Sequence, residues 1–282
     1  MELADLSPLA KTAAQAKAIT GEWEYPAFDQ LLQELIAYDN TIDARVKRRR
    51  KWMMISIVLS FVLLLATFFL ADTDYFYFVV ASFGAAVAYM ILCIQLWRKS
   101  KKLALPEASL EMVHQLARLL RQDLDPKAKI SITIDLSGPT DQKKTASNKP
   151  KQWIYLDPWC AMRFKLRDGY IAVVRQTDTF TKTIKTKKGA GGKTKSKTKW
   201  KKQCRVTARI IPPTPVVWGA SPQVDPVWER HKMVTKNDVS VAVLDRWWAF
   251  KQRTDVPTKS PAAKDIIGML FRLSAMRPLE AK

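Results

Sequence analysis

Two long runs of apolar positions dominate the hydropathy pattern of the chain. Trp52 to Leu70 carries no charged residue, and neither does Tyr75 to Trp97; only Ala71, Asp72, Thr73 and Asp74 separate them. Each run has about the 20 residues a helix needs to cross a hydrocarbon core. So short a link predicts two antiparallel helices with both chain ends on the same side. Trp52 and Trp97 fall at one end of the pair, and Tyr75 and Tyr77 at the other, where amphipathic rings prefer the membrane–water boundary. The first run begins some fifty residues into the chain and a second follows at once, which is unlike a cleaved signal peptide.

Charge orients this hairpin. Arg45, Lys47, Arg48, Arg49, Arg50 and Lys51 precede the first run, Arg98, Lys99, Lys101 and Lys102 follow the second, and the link is acidic. Lysine and arginine mark the cytoplasmic side, so the expectation is a two-pass protein of the inner (plasma) membrane, N-in and C-in, with its bulk in the cytoplasm. Arg48, Arg49, Arg50, Lys51, Trp52, Trp97, Arg98 and Lys99 are the predicted interface residues. Ala81, Gly84, Ala85 and Ala88 form overlapping small-xxx-small pairs, with Ser56 and Ser60 their counterpart in the first run; such faces suit close helix packing, within the hairpin or in a homo-oligomer.

Weaker periodicities fill the rest. Residues 1–44 read as helical: an Ala-rich segment from Leu9 to Ile19, a break at Gly21 to Pro26, then an apolar face at Leu31, Leu32, Leu35, Ile36 and Ile42. Leu110, Val113, Leu116, Ala117, Leu120 and Leu124 predict an amphipathic helix from about Pro106, ended by Asp125-Pro126. Lys129 to Leu136 alternates strictly, as a half-buried strand does. Residues 137–151 lack an apolar anchor and read as a mobile loop. Trp153 to Leu156 and Ala161 to Arg167 are short strands, and Asp168-Gly169 predicts a type I′ hairpin turn into a strand starting at Tyr170. That strand runs on to about Lys188. A tip at Gly189 to Gly192 follows, and a second arm returns from Lys193 to Ile211. Val239 to Leu244 is a further strand, and Ser260 with Pro261 predicts the N-cap and first residue of a last helix. The fold class is therefore a membrane protein: an acidic helical segment (1–44), a two-helix transmembrane hairpin (45–102) and a cytoplasmic α+β domain (103–282) with a long basic β-hairpin.

The net charge of +21 sharpens this picture because it is unevenly spread. Residues 1–44 are net acidic, whereas 98–282 hold 39 basic and 16 acidic residues. Twelve of the basic residues fall between Lys182 and Arg209, a stretch with no carboxylate. On the return arm Lys195, Lys197, Lys199, Lys201, Arg205 and Arg209 share one parity. Trp200, Cys204, Val206, Ala208 and Ile210 share the other, with Phe180 and Ile184 expected on that apolar face. Same-face residues of a strand lie about 6.6–6.8 Å apart, a spacing that suits a row of phosphates or lipid headgroups. Lys182, Lys185, Lys187, Lys188, Lys193, Lys195, Lys197, Lys199, Lys201, Arg205 and Arg209 are the predicted polyanion-binding residues. The partner classes are the lipid bilayer, nucleic acid or anionic headgroups, and an acidic protein; lysine point charges imply no sequence readout.

Motifs for chemistry are sparse. Gly189 to Thr194 imitates a phosphate-binding loop, but Lys187 occupies the first glycine position, and the segment caps a hairpin instead of joining strand to helix. Cys93, Cys160 and Cys204 are scattered, and His114 and His231 have no ligand partner at metal spacing, so no metal or other cofactor is expected. Trp247-Trp248 suits either core packing or stacking beside Arg246, Lys251 and Arg253. The leading expectation is a non-enzymatic polyanion-binding membrane protein. A pore-forming or membrane-perturbing oligomer is the alternative, and no nucleophile–base pair or carboxylate dyad supports a membrane-tethered enzyme.

Overall fold

The computed structural model describes residues 3–69, 76–145, 150–188, 194–214, 218, 229–236, 239–252 and 259–276. The chain divides into two compact units: Pro8–Leu35 with Pro106–Lys282, and Met1–Ser7 with Ile36–Leu105.

The larger unit is built on an open, wholly antiparallel sheet. Its strands are β1 (Ala18–Trp23), β2 (Ile130–Asp135), β3 (Lys144–Thr145), β4 (Gln152–Lys165), β5 (Ile171–Lys188), β6 (Thr194–Ile211), β7 (Glu229–Lys236) and β8 (Val239–Gln252). The order is β1-β2-β4-β5-β6-β8-β7, with β3 pairing β4 off this path. Alternation places one face inward. Ile130, Ile132 and Ile134 on β2, Met162 and Phe164 on β4, Ala172 and Val174 on β5, and Val206, Ala208 and Ile210 on β6 are all buried. α5 (Ala263–Ser274) packs on β6 and β8, and α4 (Glu107–Leu120) packs on α5. Arg272 fixes α5 to the sheet edge by donating two hydrogen bonds, of 2.7 and 2.8 Å, to the buried Glu229 carboxylate of β7. α1 (Pro8–Ala16) leads into β1, and α2 (Tyr25–Phe69) begins in this unit. There Asp29 meets His114 of α4 at 3.0 Å, and the Tyr25 ring lies 5.4 Å from the Arg121 guanidinium.

Local structure departs from the sequence expectation in five places. Ala18–Trp23 is an edge strand, not part of a helix or a simple break; it pairs with β2 from Ala18↔Asp135 to Trp23↔Ile130. The two short runs around Trp153 and Ala161 are one strand, β4, whose register slips by one residue between Asp157 and Cys160. Before this bulge the inward positions are odd (Tyr155, Asp157); after it they are even (Cys160, Met162, Phe164). The turn after β4 is not type I′, which needs two residues with positive φ. Only Gly169 has one (+85°), and its N–H closes a turn onto the Leu166 carbonyl at 3.0 Å. α5 starts at Ala263 with Ala262 as its cap and no side-chain capping bond, so neither Ser260 nor Pro261 takes the predicted role. Finally, residues 137–145 are anchored by charge. Lys143 lies 2.7 Å from both Asp135 and Asp157, and Lys144–Thr145 pairs with β4.

The smaller unit holds most of α2 and α3 (Phe76–Leu103). These are two helices long and apolar enough to cross a membrane. Their apolar side chains are largely exposed: Val58 is 60%, Phe61 59% and Phe78 74% exposed. Tyr38, Asp39 and Ile42 are buried near the start of α2; along the apolar stretches that follow, the buried positions among the described residues are few and mostly small: Ser56 and Ser60 on α2, and Val79, Ala86, Cys93 and Ser100 on α3. The α3 set recurs every seven residues, the repeat of a helix packed along one seam. Arg49 donates to the Leu96 carbonyl at 2.8 Å and to the Ser100 hydroxyl, linking the two helices. The Leu105 N–H donates to Asp39 at 2.6 Å. Ala81, Gly84, Ala85 and Ala88 lie on the exposed side of α3, and a Cβ at Gly84 would meet nothing within 4 Å. The predicted link Ala71–Asp74 and the first residue of the second run, Tyr75, lie outside the described residues.

Candidate polyanion-binding surface

β5 and β6 pair without interruption from Ile171↔Ile211 to Lys188↔Thr194. Their neighbours stop earlier: β4 ends at Gln152↔Thr183 and β8 at Gln252↔Trp200. The last five residues of β5 therefore extend as a two-stranded ribbon, about 17 Å at strand rise.

Directly opposed residues of an antiparallel pair share a face. The register thus collects Lys185, Lys187, Lys195, Lys197, Lys199 and Lys201 on the outward face, all exposed. Lys185 stands opposite Lys197, and Lys187 opposite Lys195. Thr183 and Thr181 stand opposite Lys199 and Lys201. Like charges directly opposed on a sheet destabilise it, and among the described residues no carboxylate pairs with any of these six lysines.

The remaining predicted residues are placed differently. Lys182 is on the other face, stacked between Trp153 at 5.9 Å and Trp200 at 5.5 Å. Lys188 pairs in register with Thr194 at the ribbon's end; Lys193 lies outside the described residues, as does the loop that imitates a phosphate-binding motif. Arg205 is neutralised by Asp245 at 2.8 Å and lies 5.5 Å from the Trp247 ring, which Arg230 also overlies at 5.5 Å. Trp247 and Trp248 point to opposite faces, with Arg246 5.0 Å from the Trp248 ring. Their rings are thus occupied by the protein's own cations. Arg209 faces outward two residue pairs from Arg205. Arg163 and Arg175, which sequence reasoning missed, join it around one concavity. The signal for Arg175 was the alternation of Val173–Arg175 along β5; that for Arg163 was hidden by the bulge in β4.

Behind the outward face lies a buried polar cluster. Lys202 pairs with Asp178 at 2.8 Å, each side chain 3% exposed, and Gln176 donates to Asp178 at 3.1 Å. Asp157, opposite Asp178, is pushed above the usual carboxylate range by burial, against the opposing pull of Lys143. Burial, with the Asp178 charge adding to it, pushes the Cys160 thiol up to about 12, and Cys204 is raised for the same reasons. Both thiols are thereby kept protonated, the reverse of an activated nucleophile. Among the described residues, no three His, Cys, Asp or Glu side chains are grouped to hold a metal ion.

Around the helix pair, the predicted interface residues Arg48, Arg50, Lys51, Trp52, Arg98 and Lys99 are exposed, while Arg49 is engaged with α3. Trp97 is half-buried under the Lys101 ammonium at 5.4 Å. The molecule thus combines two helices of membrane-crossing length with a charge-rich sheet unit. No protein-family model, curated protein or solved structure matches the chain.

Proposed function

We propose that this is a non-enzymatic integral membrane protein: the helix pair crosses the bilayer N-in and C-in, and the sheet unit binds a polyanion from the cytoplasmic side. The observation that carries the binding reading is the facing lysine pairs, Lys185↔Lys197 and Lys187↔Lys195, on an exposed ribbon free of carboxylates. An isolated protein gains nothing from opposing such charges. A polyanion relieves the repulsion and releases its own counterions on binding. Lysines without aromatic platforms fit a phosphodiester row, whether a nucleic-acid backbone or anionic headgroups, in preference to base readout. The membrane reading draws support from the many exposed apolar side chains along α2 and α3, since a large exposed apolar face marks a contact with a membrane or another protein.

The test uses the full-length protein in nanodiscs of zwitterionic lipid. Single-stranded DNA, double-stranded DNA and phosphatidylserine vesicles are titrated separately over a range of salt. Exchanging Lys195, Lys197, Lys199 and Lys201 for Gln should weaken binding by orders of magnitude at moderate salt. The salt slope should flatten by roughly 0.7–0.9 for each phosphate that a lysine no longer neutralises. Unchanged binding of every probe would remove the ribbon as the site and leave an acidic protein as its partner. Orientation is tested by cysteine labelling in intact cells: a cysteine at position 73 should react with an impermeant reagent and one at position 190 should not. The reverse pattern excludes the N-in, C-in arrangement.

A further inference from the structure

The outward sheet face gathers cations in two places. The ribbon is lysine. Nearer the sheet's centre, Arg163 on β4, Arg175 on β5 and Arg209 on β6 line one concavity of about 350 Å³. Register explains the hollow. Arg163 stands opposite Val173, and Val173 stands opposite Arg209. Two arginines thus flank one small residue, two strand spacings or about 10 Å apart. Arg175, one same-face step along β5, stands opposite Ala161. The short side chains of Val173 and Ala161 leave the floor low, and the three arginines form its wall. Ser131 and Thr133 of β2 close one side with hydroxyls.

Two further observations point to an anionic occupant. Among the described residues no carboxylate pairs with Arg163, Arg175 or Arg209. On the row through Arg163 the carboxylate is Glu22, which stands opposite Ser131 on the far side of β2. The Arg209 Nε is also buried and has no hydrogen-bond partner. Buried donors are almost always satisfied, and this one has no acceptor among the described residues.

We propose that Arg163, Arg175 and Arg209 form a receptor for one phosphomonoester group. Arginine presents a planar fork that binds two oxyanion oxygens at once, whereas a lysine ammonium does not. Three forks around one hollow suit a tetrahedral dianion, whose three terminal oxygens are all free to accept. A phosphodiester in a nucleic-acid backbone or a glycerol-bridged headgroup offers only two. This deepens the polyanion reading, resting on the same face but on other residues: the ribbon holds a row of charges, and the pocket recognises one terminal phosphate among them.

The experiment again uses the full-length protein in phosphatidylcholine nanodiscs, with two sources of the group. The soluble source is inorganic phosphate. The lipid source is vesicles containing phosphatidic acid, compared with vesicles of phosphatidylglycerol matched for surface charge. The parent should bind phosphate saturably, or prefer phosphatidic acid over phosphatidylglycerol, and which of these occurs identifies the source. Arg163→Gln and Arg175→Gln should each weaken that binding about tenfold or more. Arg175→Lys keeps the charge and should lose the monoester preference while retaining the attraction to charged vesicles. The ribbon variant with four glutamines should keep the monoester preference. A parent that binds neither source selectively, or arginine variants that bind as the parent does, would overturn the pocket. Loss of binding to DNA and phosphatidylserine in the ribbon variant would still stand, so the two readings fail separately.

Discussion

Lys201 and Lys202 are adjacent on β6 and are treated in opposite ways. Lys201 projects from the outward face into solvent, across from Thr181. Lys202 is buried on the inward face, 2.8 Å from Asp178 and 5.5 Å from the Phe180 ring. A strand sends neighbouring side chains to opposite sides, so one step along the chain moves an ammonium from water into a core. The inward lysine has to be paired, because an isolated buried charge is too costly to keep. The outward ribbon lysines need no pairing, and among the described residues no carboxylate pairs with them. Strand alternation thus separates charge that holds the fold from charge available to a partner.

The largest effect should come from the inward side. Lys202→Met leaves the buried Asp178 without its counter-charge. Removing one member of a buried pair costs about 3–5 kcal/mol, whereas replacing both by apolar groups is often neutral. Denaturant unfolding followed by tryptophan fluorescence should therefore show a severe loss for Lys202→Met and a large recovery when Asp178→Leu is added. A single variant as stable as the parent would mean that the pair is not held out of water.

This pairing also shows what was legible in the sequence. The odd stripe of lysines and the even stripe of Cys204, Val206, Ala208 and Ile210 could be read from alternation alone, and the described part of β6 keeps that phase over its whole length. Lys202 breaks the apolar stripe, and nothing local reveals that Asp178 faces it diagonally across β5, since register belongs to the pair of strands. β4 was harder. Its bulge flips the inward parity at Pro158-Trp159, so the pattern looks like two strands and conceals Arg163. β1 and β7 are edge strands with little alternation to detect. In β1 the buried position is Ile19, and in β7 Met233 and Val234 are both exposed. Helical periodicity was clear in α4 and in the two apolar runs because each has a continuous stripe or no polar face at all.

A smaller effect is expected at Lys143, which stands between the two extremes. Its side chain is 14% exposed and bridges Asp135 and Asp157. Burial alone would lower its pKa, but the two carboxylates together hold it above the ordinary lysine value of 10.5. A raised lysine stabilises the fold fully below that value and loses its contribution as pH rises through the folded one. From pH 5 to 9 the parent should thus show no loss arising from Lys143. Lys143→Gln should cost about 1–3 kcal/mol at pH 9, where Asp157 stays buried without a cation. Asp157 is already raised by burial, and without Lys143 it will take up a proton more readily still. A raised carboxyl stabilises the protonated fold and loses that contribution as pH rises, so the variant should be closer to the parent at pH 5 than at pH 9. Equal deficits at both pH values would show that Asp157 is solvated.

The smallest effect belongs to the outward face, and it is the one that tests the contrast between the two lysines. Exchanging Lys195, Lys197, Lys199 and Lys201 for Gln removes four exposed charges that have no partner among the described residues. It also relieves the opposition of Lys197 to Lys185 and of Lys195 to Lys187. Exposed substitutions of this kind change stability little, so the melting temperature should shift by less than about 1–2 °C, and upward if at all. Relief of repulsion should be clearest at low ionic strength and vanish near 1 M salt, where the screening length falls to about 3 Å. Circular dichroism melts of parent and variant at low and high salt measure this directly. A clear destabilisation would show that these lysines hold the ribbon in place, and would move them to the same class as Lys202. A melting temperature that is unchanged, or raised only at low salt, leaves the ribbon's charge with no role inside the fold.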